Sequence, residues 1–132
     1  MPTLLQPYNS HLNYCLLVWG STTKTNLDKI ITIQKKAVRT IESVSSKEHA
    51  APYFSKYRIL RIDQLFNVKL AVEIYKQISS DQAAFYELYQ RKSTPYNLRD
   101  QNYMTPKSRT NYGLQRLAHQ VPEFLNKYLE IE

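Results

Sequence analysis

The sequence predicts a mainly α-helical fold, a small irregular helical bundle followed by an extended, basic C-terminal segment with room for one short β-strand. Only two Gly and six Pro occur among 132 residues, which favours long uninterrupted helices over a turn-rich β fold. From Leu4 to Tyr89 apolar residues recur at spacings of three and four, as in amphipathic helices. This length suffices for one domain with a modest core, since domains typically have roughly 100–150 residues.

The first predicted element is an uncharged helix that ends at Gly20. Its apolar run Tyr14–Trp19 has six residues, whereas a membrane helix needs about 20, and no basic n-region or cleavage site indicates a secretory signal. We therefore expect a buried helix with Pro7 in its first turn and Gly20 in a left-handed C-terminal conformation. Its apolar positions are Leu4, Leu5, Tyr8, Leu12, Cys15, Leu16 and Trp19.

The second predicted helix covers 26–43 and has two contrasting faces. Thr25 is a suitable N-cap, and Asp28 three residues later nearly completes a capping box. A basic face carries Lys29 and Lys36, with Lys35 and Arg39 nearby. The opposite face consists of Leu27, Ile30, Ile31, Gln34, Ala37, Val38 and Ile41.

Three further helices are predicted before residue 93. Pro52 is placed in the first turn of a short one, and Ile62-Asp63 opens a long one that is apolar on more than half of its circumference. Such a helix packs against partners on two sides, so we expect it to be central. After a break at 79–81, a short helix follows with Phe85, Leu88 and Tyr89 on its apolar side.

From Ser93 onward the chain is polar and basic, with Pro at positions 95 and 106 before Gly113, and we expect an extended loop with one short strand around Tyr103–Thr105. The stretch LQRLAHQ fits either a strand or a short helix. Pro122 is expected to begin a last helix.

The charge of the chain is uneven and points to a polyanion partner. The formal net charge is +7. Residues 24–42 contain five basic and two acidic residues, and residues 91–110 contain five and one. Two basic blocks around a balanced middle favour nucleic acid as the partner, although solvated helix faces have the same composition.

No catalytic centre is expected. No Asp-Asp or Asp-x-Asp pair suits a two-metal site, and two Gly cannot form a phosphate-binding loop. One Cys and three scattered His lack the spacing of metal ligands. We therefore expect no catalytic residues, no metal, no cofactor and no small-molecule substrate.

The candidate functional surface is basic and aromatic. Lys or Arg projecting from a rigid helix can contact successive phosphates, and a Tyr-flanked loop at 107–109 can contact a phosphate or stack on a base. The candidate nucleic-acid-binding residues are Lys29, Lys35, Lys36, Arg39, Arg99, Lys107 and Arg109.

Three segments in order resemble the C-terminal, thumb and post-thumb region of reverse transcriptases from non-LTR retrotransposons of the jockey-like group. The stretch HLNYCLLVWG with the following LDKIITIQKKAVRTI is similar to the end of the family's thumb, and HAAPYFSKYRILRIDQL is similar to the next family segment. YNLR, Pro106, Arg109-Thr110 and Gly113 resemble the tail that follows. The family's closing motif is altered, because Val121–Leu129 lacks its Gly, Trp and final Pro.

The resemblance implies a fragment of an RNA-directed DNA polymerase that is inactive on its own, because the family's palm with its metal-binding aspartates precedes the matching region. It implies two partners, the template–primer duplex and the missing palm, and no membrane. It also implies an intracellular location in the nucleus or cytoplasm. In these terms 1–46 is a two-helix thumb end, 47–92 a helical post-thumb segment, and 93–132 a basic loop with a terminal helix. The alternatives are a stand-alone nucleic-acid-binding module and a helical protein-interaction module.

Overall fold

The computed structural model of the chain describes residues 10–93 and 103–128 and confirms the mainly helical fold. By internal contacts the chain divides into two compact units, Met1–Lys69 and Leu70–Glu132, which we describe separately. The positions Leu4, Leu5, Pro7, Tyr8 and Arg99 lie outside the described residues. After a helical stretch at 10–13, the helices are α1 (Leu16–Trp19), α2 (Lys24–Glu42), α3 (Ala51–Lys56), α4 (Ile62–Ser80), α5 (Gln82–Leu88), α6 (Asn111–Leu114) and α7 (Leu117–Tyr128).

The first helix is interrupted at Cys15, so the expectation of one continuous helix was wrong. Cys15 takes a left-handed conformation with φ 48°, and the Val18 N–H donates to the Cys15 carbonyl at 2.9 Å. In a continuous helix that N–H would donate to the Tyr14 carbonyl. Here the Tyr14 carbonyl instead accepts from the indole Nε1–H of Trp19 at 2.7 Å, which compensates for the lost helical bond.

Gly20 ends α1, but for a different reason from the one expected. Its φ of −70° is right-handed, so the expected left-handed conformation was wrong. What requires Gly is a close approach of α4. A Cβ at this position would lie 2.5 Å from the Leu16 carbonyl oxygen and 2.6 Å from Cδ2 of Phe66.

Helix α2 begins earlier than expected and ends in a Schellman motif. The N-cap is Thr23 and not Thr25, because the N–H groups of Asn26 and Leu27 both donate to the Thr23 carbonyl. At the other end Ser43 is left-handed, with φ 56°, and the Val44 N–H donates to the Arg39 carbonyl at 3.1 Å. The chain therefore turns sharply away from α2 toward α3.

The buried side of α2 agrees with the predicted apolar face. Ile31, Gln34 and Val38 are its buried residues. Val38 packs in one cluster with Ala50, Phe54 and Ile59, and the partly buried Ile41, Tyr53 and Tyr57 pack against this cluster. Helix α3, with Pro52 in its first turn as predicted, is held against the end of α2 in this way.

Gln34 is buried among these apolar side chains and joins α2 to the start of α4. Its Oε1 accepts from the Ile62 N–H at 3.0 Å, and its Nε2 donates to the Leu60 carbonyl at 3.4 Å. Only 1% of its surface is exposed. The amide thus makes hydrogen bonds with backbone groups on both sides of Arg61, in the segment that connects α3 to α4.

Helix α4 buries only one of its two apolar sides against the described residues. Ile62, Phe66, Leu70 and Ile74 follow each other at intervals of four and are buried. On the opposite side the exposed fractions are 49% for Val68, 48% for Val72 and 71% for Tyr75. The expectation of partners on both sides was therefore wrong for the part of the chain that the structure describes.

In the second unit Asp81 caps α5 by accepting from the Ala84 N–H at 3.0 Å. Instead of the expected strand at Tyr103–Thr105, Tyr103 forms an isolated antiparallel bridge with Arg91. The side-chain amide of Asn126 exchanges two hydrogen bonds with the backbone of Tyr103, at 2.7 and 3.1 Å.

The C-terminal helix starts before Pro122. Within the LQRLAHQ stretch Leu114 ends α6, a turn follows at 115–116, and α7 begins at Leu117, so the expected start at Pro122 was wrong. Pro122 lies inside α7 and has no backbone N–H to donate. Burial of Val121, Pro122 and Leu125 on one face stabilises the helix in spite of the missing hydrogen bond.

We expect Gly20→Ala to lower the free energy of unfolding by about 1–3 kcal/mol, as overpacking does. If a Cβ at position 20 had room, Gly20→Ala would instead raise the free energy of unfolding by about 0.4–1 kcal/mol, because the backbone there is right-handed. The sign of the change in the free energy of unfolding therefore tests the close approach. Urea denaturation followed by circular dichroism measures it. In a Phe66→Ala background, which removes the Cδ2 atom, the same substitution should cost less. A raised midpoint for Gly20→Ala in the wild-type background would contradict the close approach.

Candidate nucleic-acid interface

Of the four predicted basic residues of α2, Lys29 and Lys36 lie opposite its buried residues, whereas Arg39 and Lys35 lie nearer to the buried side. Lys29, Lys35 and Lys36 are exposed, and Arg39 is half-buried. At 100° per residue these four span an arc of about 120° on the helix surface. The same arc contains the exposed Asp28, so this face of α2 is mainly basic with one carboxylate in it, and the opposite face is anchored in the core.

Two of these residues also line a cavity that the sequence did not predict. The cavity has a volume of about 590 Å³ and lies in the first unit. Lys35 and Arg39 line it from α2, and Arg58 and Arg61 line it from the segment between α3 and α4. Its other lining residues are His49, Ala50, Ala51, Phe54, Ser55, Ile59, Leu60 and Gln64.

Sequence reasoning missed Arg58 and Arg61 because their contribution depends on long-range packing. They are 19 or more positions from Arg39, and no periodicity relates a connecting segment to a distant helix face. Gln34 supplies the connection, since its bonds to Leu60 and Ile62 hold this segment against α2. A buried Gln on an otherwise apolar face is the one signal in the sequence that points to such a connection.

Two acidic residues of this region, Glu42 and Glu48, bind side chains of α3, and the lining of the cavity is cationic. No Asp or Glu is among the residues that line it. Glu42 accepts from Lys56 Nζ at 2.7 Å and also from the Tyr57 hydroxyl. The Tyr53 hydroxyl donates to Glu48 Oε2 at 2.7 Å. Both acidic groups thus hold α3 in place and neutralise none of the four cations.

The four cationic side chains of the cavity differ in the ion pairs and hydrogen bonds that they make. Arg61 pairs with Asp63 at 3.1 Å, but both side chains are more than two-fifths exposed, so this pair contributes little. The Nε of Arg39 donates to the backbone carbonyl of Glu48 at 2.8 Å, which orients the guanidinium without neutralising it. Lys35 and Arg58 make no ion pair within residues 10–93 and 103–128.

Arg58 has an unusual backbone conformation. Its φ is 52°, in the left-handed region. The Ile59 N–H donates to the Phe54 carbonyl at 2.9 Å and the Arg58 N–H donates to the Ser55 carbonyl at 3.2 Å, so Arg58 occupies the position that is usually Gly or Asn in a Schellman motif. A left-handed Arg costs about 1–2 kcal/mol relative to right-handed backbone.

The contacts of Glu42 shift three pKa values. Hydrogen bonds from Lys56 and then Tyr57 lower the pKa of the Glu42 carboxyl. The same hydrogen bonds raise the pKa of the Lys56 ammonium and of the Tyr57 hydroxyl. The charged pair thus stabilises the junction of α2 and α3 across the neutral range.

The remaining candidates lie in the second unit. Lys107 and Arg109 are exposed, and Arg99 lies outside the described residues. Of the flanking aromatic residues, Tyr103 is buried and lies under the guanidinium of Arg91, 5.2 Å from the ring centroid. Tyr112 is 79% exposed and remains accessible for stacking.

Among residues 10–93 and 103–128, no three His, Cys, Asp or Glu side chains are grouped as metal ligands. None of the helices in these ranges has both the length and the apolar character that crossing a membrane requires. The chain matches no protein-family model, no curated protein and no solved structure.

We expect Glu42→Gln to make stability less sensitive to acid. Because the folded pKa of Glu42 is lowered, its contribution is complete above the ordinary value of 4.5 and is lost as the pH falls through the lowered pKa. The wild type should therefore lose more stability than Glu42→Gln on acidification, as measured by urea midpoints at a series of pH values. Glu87→Gln, which changes an exposed residue of α5, is the matched control, and its urea midpoints should fall with pH to the same extent as those of the wild type. Parallel losses in wild type and Glu42→Gln would contradict the role of the carboxylate.

Proposed function

We propose that the chain corresponds to the thumb and post-thumb region of a non-LTR retrotransposon reverse transcriptase, an RNA-directed DNA polymerase. On this proposal it contacts nucleic-acid phosphates and does not polymerise on its own. In the parent enzyme the partners are the template–primer duplex and the palm, in the nucleus or cytoplasm. The proposal rests on the order of the three family-like segments, from HLNYCLLVWG to YNLR.

The observation that carries the nucleic-acid contact is the two-sided character of α2. Ile31, Gln34 and Val38 anchor one side, while Lys29 and Lys36 project from the other, about 10.5 Å apart along the axis at 1.5 Å per residue. Cations on a rigid support bind phosphates without first losing backbone freedom. The partners of Glu42 and Glu48 also keep these carboxylates from neutralising the basic face.

We expect Lys29→Glu with Lys36→Glu to weaken binding of a short DNA duplex and to flatten its salt dependence. If each lysine contacts one phosphate, the slope of log K against log salt should fall in magnitude by about 1.8 for B-DNA. Fluorescence anisotropy over a salt series measures both effects. Lys47→Glu with Lys76→Glu changes the same charge at exposed positions elsewhere and should retain the wild-type slope.

An unchanged slope in the Lys29 and Lys36 variant would refute contact through this face. The same preparation should incorporate no nucleotide in a primer-extension assay with Mg²⁺, poly(A) and oligo(dT). Incorporation by this chain would refute the inactive-fragment proposal, whatever the result for binding.

A second candidate, a helical protein-interaction module, is supported by the exposed apolar side of α4. Val68, Val72 and Tyr75 lie on one side of this helix and are each about half exposed or more. Sedimentation velocity separates the candidates, since a monomer at every concentration that binds duplex DNA counts against the interaction module.

A further inference from the structure

The cavity between α2 and the α3–α4 connection is lined by four cations, and the only acidic side chain paired with any of them among the described residues is the largely exposed Asp63, at Arg61. Lys35, Arg39, Arg58 and Arg61 line it together, and its lining includes no carboxylate. Like charges that converge on one concave space repel each other, and low-dielectric walls strengthen that repulsion. Ile59 and Leu60 supply apolar parts of the wall. The mutual repulsion of these cations lowers the stability of the free protein, and a bound anion reduces that repulsion.

The backbone at Arg58 shows a second, independent cost at the same place. A Schellman motif needs a left-handed residue, for which Gly or Asn is suited, whereas the chain has Arg at φ 52°. Strained backbone of this kind is concentrated at binding and catalytic sites. Two backbone hydrogen bonds of the Schellman motif hold Arg58 in this conformation, as they hold Ser43 at the end of α2, and the Arg58 side chain makes no ion pair among the described residues.

The size and chemistry of the cavity fit a nucleotide. A volume of about 590 Å³ lies within the range of roughly 300–1,000 Å³ that is typical of small-molecule sites. Guanidinium groups bind phosphate oxygens bidentately, and three of the four cations are arginines. The apolar side chains beside them can contact a sugar or base. A carboxylate-rich peptide would satisfy the cations but would offer no apolar partner to the exposed Leu60.

We propose that this cavity binds one nucleotide of a single-stranded nucleic acid, with its phosphate held by Arg58 and Arg61 opposite Lys35 and Arg39. The strand is single because a concave cavity admits an unpaired nucleotide, whereas a duplex presents its phosphates on convex ridges. The inference rests on the proposed nucleic-acid contact and adds a site separate from Lys29 and Lys36.

The test uses the full chain and a fluorescein-labelled oligo(dT) strand in anisotropy titrations. Arg58→Asn with Arg61→Gln removes two cations and places at position 58 a residue that tolerates left-handed backbone. Lys24→Gln with Lys47→Gln removes the same charge from exposed positions outside the cavity. We expect the cavity variant to bind the strand about tenfold more weakly than the control, since hydrogen bonds to charged groups are the strong ones.

Stability separates a binding role from a structural one. We expect Arg58→Asn alone to raise the urea midpoint while it weakens strand binding, because it relieves strain and removes a cation. Equal strand affinity in the cavity and control variants would overturn the proposal. So would competition by oligo-glutamate that is as effective as competition by unlabelled oligo(dT) of equal charge, since the site would then prefer acidic peptide.

The two proposals fail in distinguishable ways. If the Lys29 and Lys36 variant loses duplex affinity but the cavity variant binds the strand like its control, the cavity proposal fails and the proposed function stands. If the wild type binds neither duplex nor strand, both fail.

Discussion

The buried side-chain amide of Gln34 is the interaction on which the arrangement of the first unit depends. It partners the Ile62 N–H and the Leu60 carbonyl from a position with 1% exposure. If the amide is removed, the buried Ile62 N–H is left without this partner, at a cost of about 1–3 kcal/mol, and the more exposed Leu60 carbonyl loses its bond as well. These bonds hold the connection between α3 and α4 against α2, so they decide where Arg58 and Arg61 lie relative to Lys35 and Arg39.

Around this connection, apolar and acidic side chains share the task of holding α3. Val38, Phe54 and Ile59 form the apolar contact, and Glu42 binds Lys56 and Tyr57 at its edge. Because the Glu42 and Glu48 side chains are used in contacts with α3, they neutralise no cation of the cavity, and the exposed pair of Arg61 with Asp63 is the one ion pair there among the described residues. The same packing that stabilises the unit therefore produces its concentration of positive charge.

Much of the helical structure could be predicted from the sequence, since it follows from local periodicity. The apolar face of α2 and the Pro52 start of α3 were predicted correctly, whereas the break expected at 79–81 is confined to Asp81, because α4 continues to Ser80. The errors occur where a distant contact decides the local structure. The indole of Trp19 donates a hydrogen bond to the Tyr14 carbonyl where the first helix is interrupted. The close approach of Phe66 leaves no room for a side chain at Gly20. Burial of one face of α7 stabilises this helix in spite of Pro122.

The candidate site was predictable only in part for the same reason. Lys29, Lys35, Lys36 and Arg39 share a helix face that periodicity reveals. Arg58 and Arg61 line the cavity with two of these residues only because of tertiary packing. Gln34 was predicted on the apolar face of α2, but its hydrogen bonds to the connection between α3 and α4 were not predicted.

A double-mutant cycle on strand binding tests most directly whether Gln34 positions the cavity. Gln34→Met keeps the approximate size of the side chain and removes both hydrogen bonds, and it is combined with Arg58→Asn and Arg61→Gln. If Gln34 places these arginines, the cavity substitutions should weaken binding in the wild-type background and have little further effect in the folded Gln34→Met background. Effects that simply add would show that the arginines act independently of Gln34 and would contradict this organisation of the site.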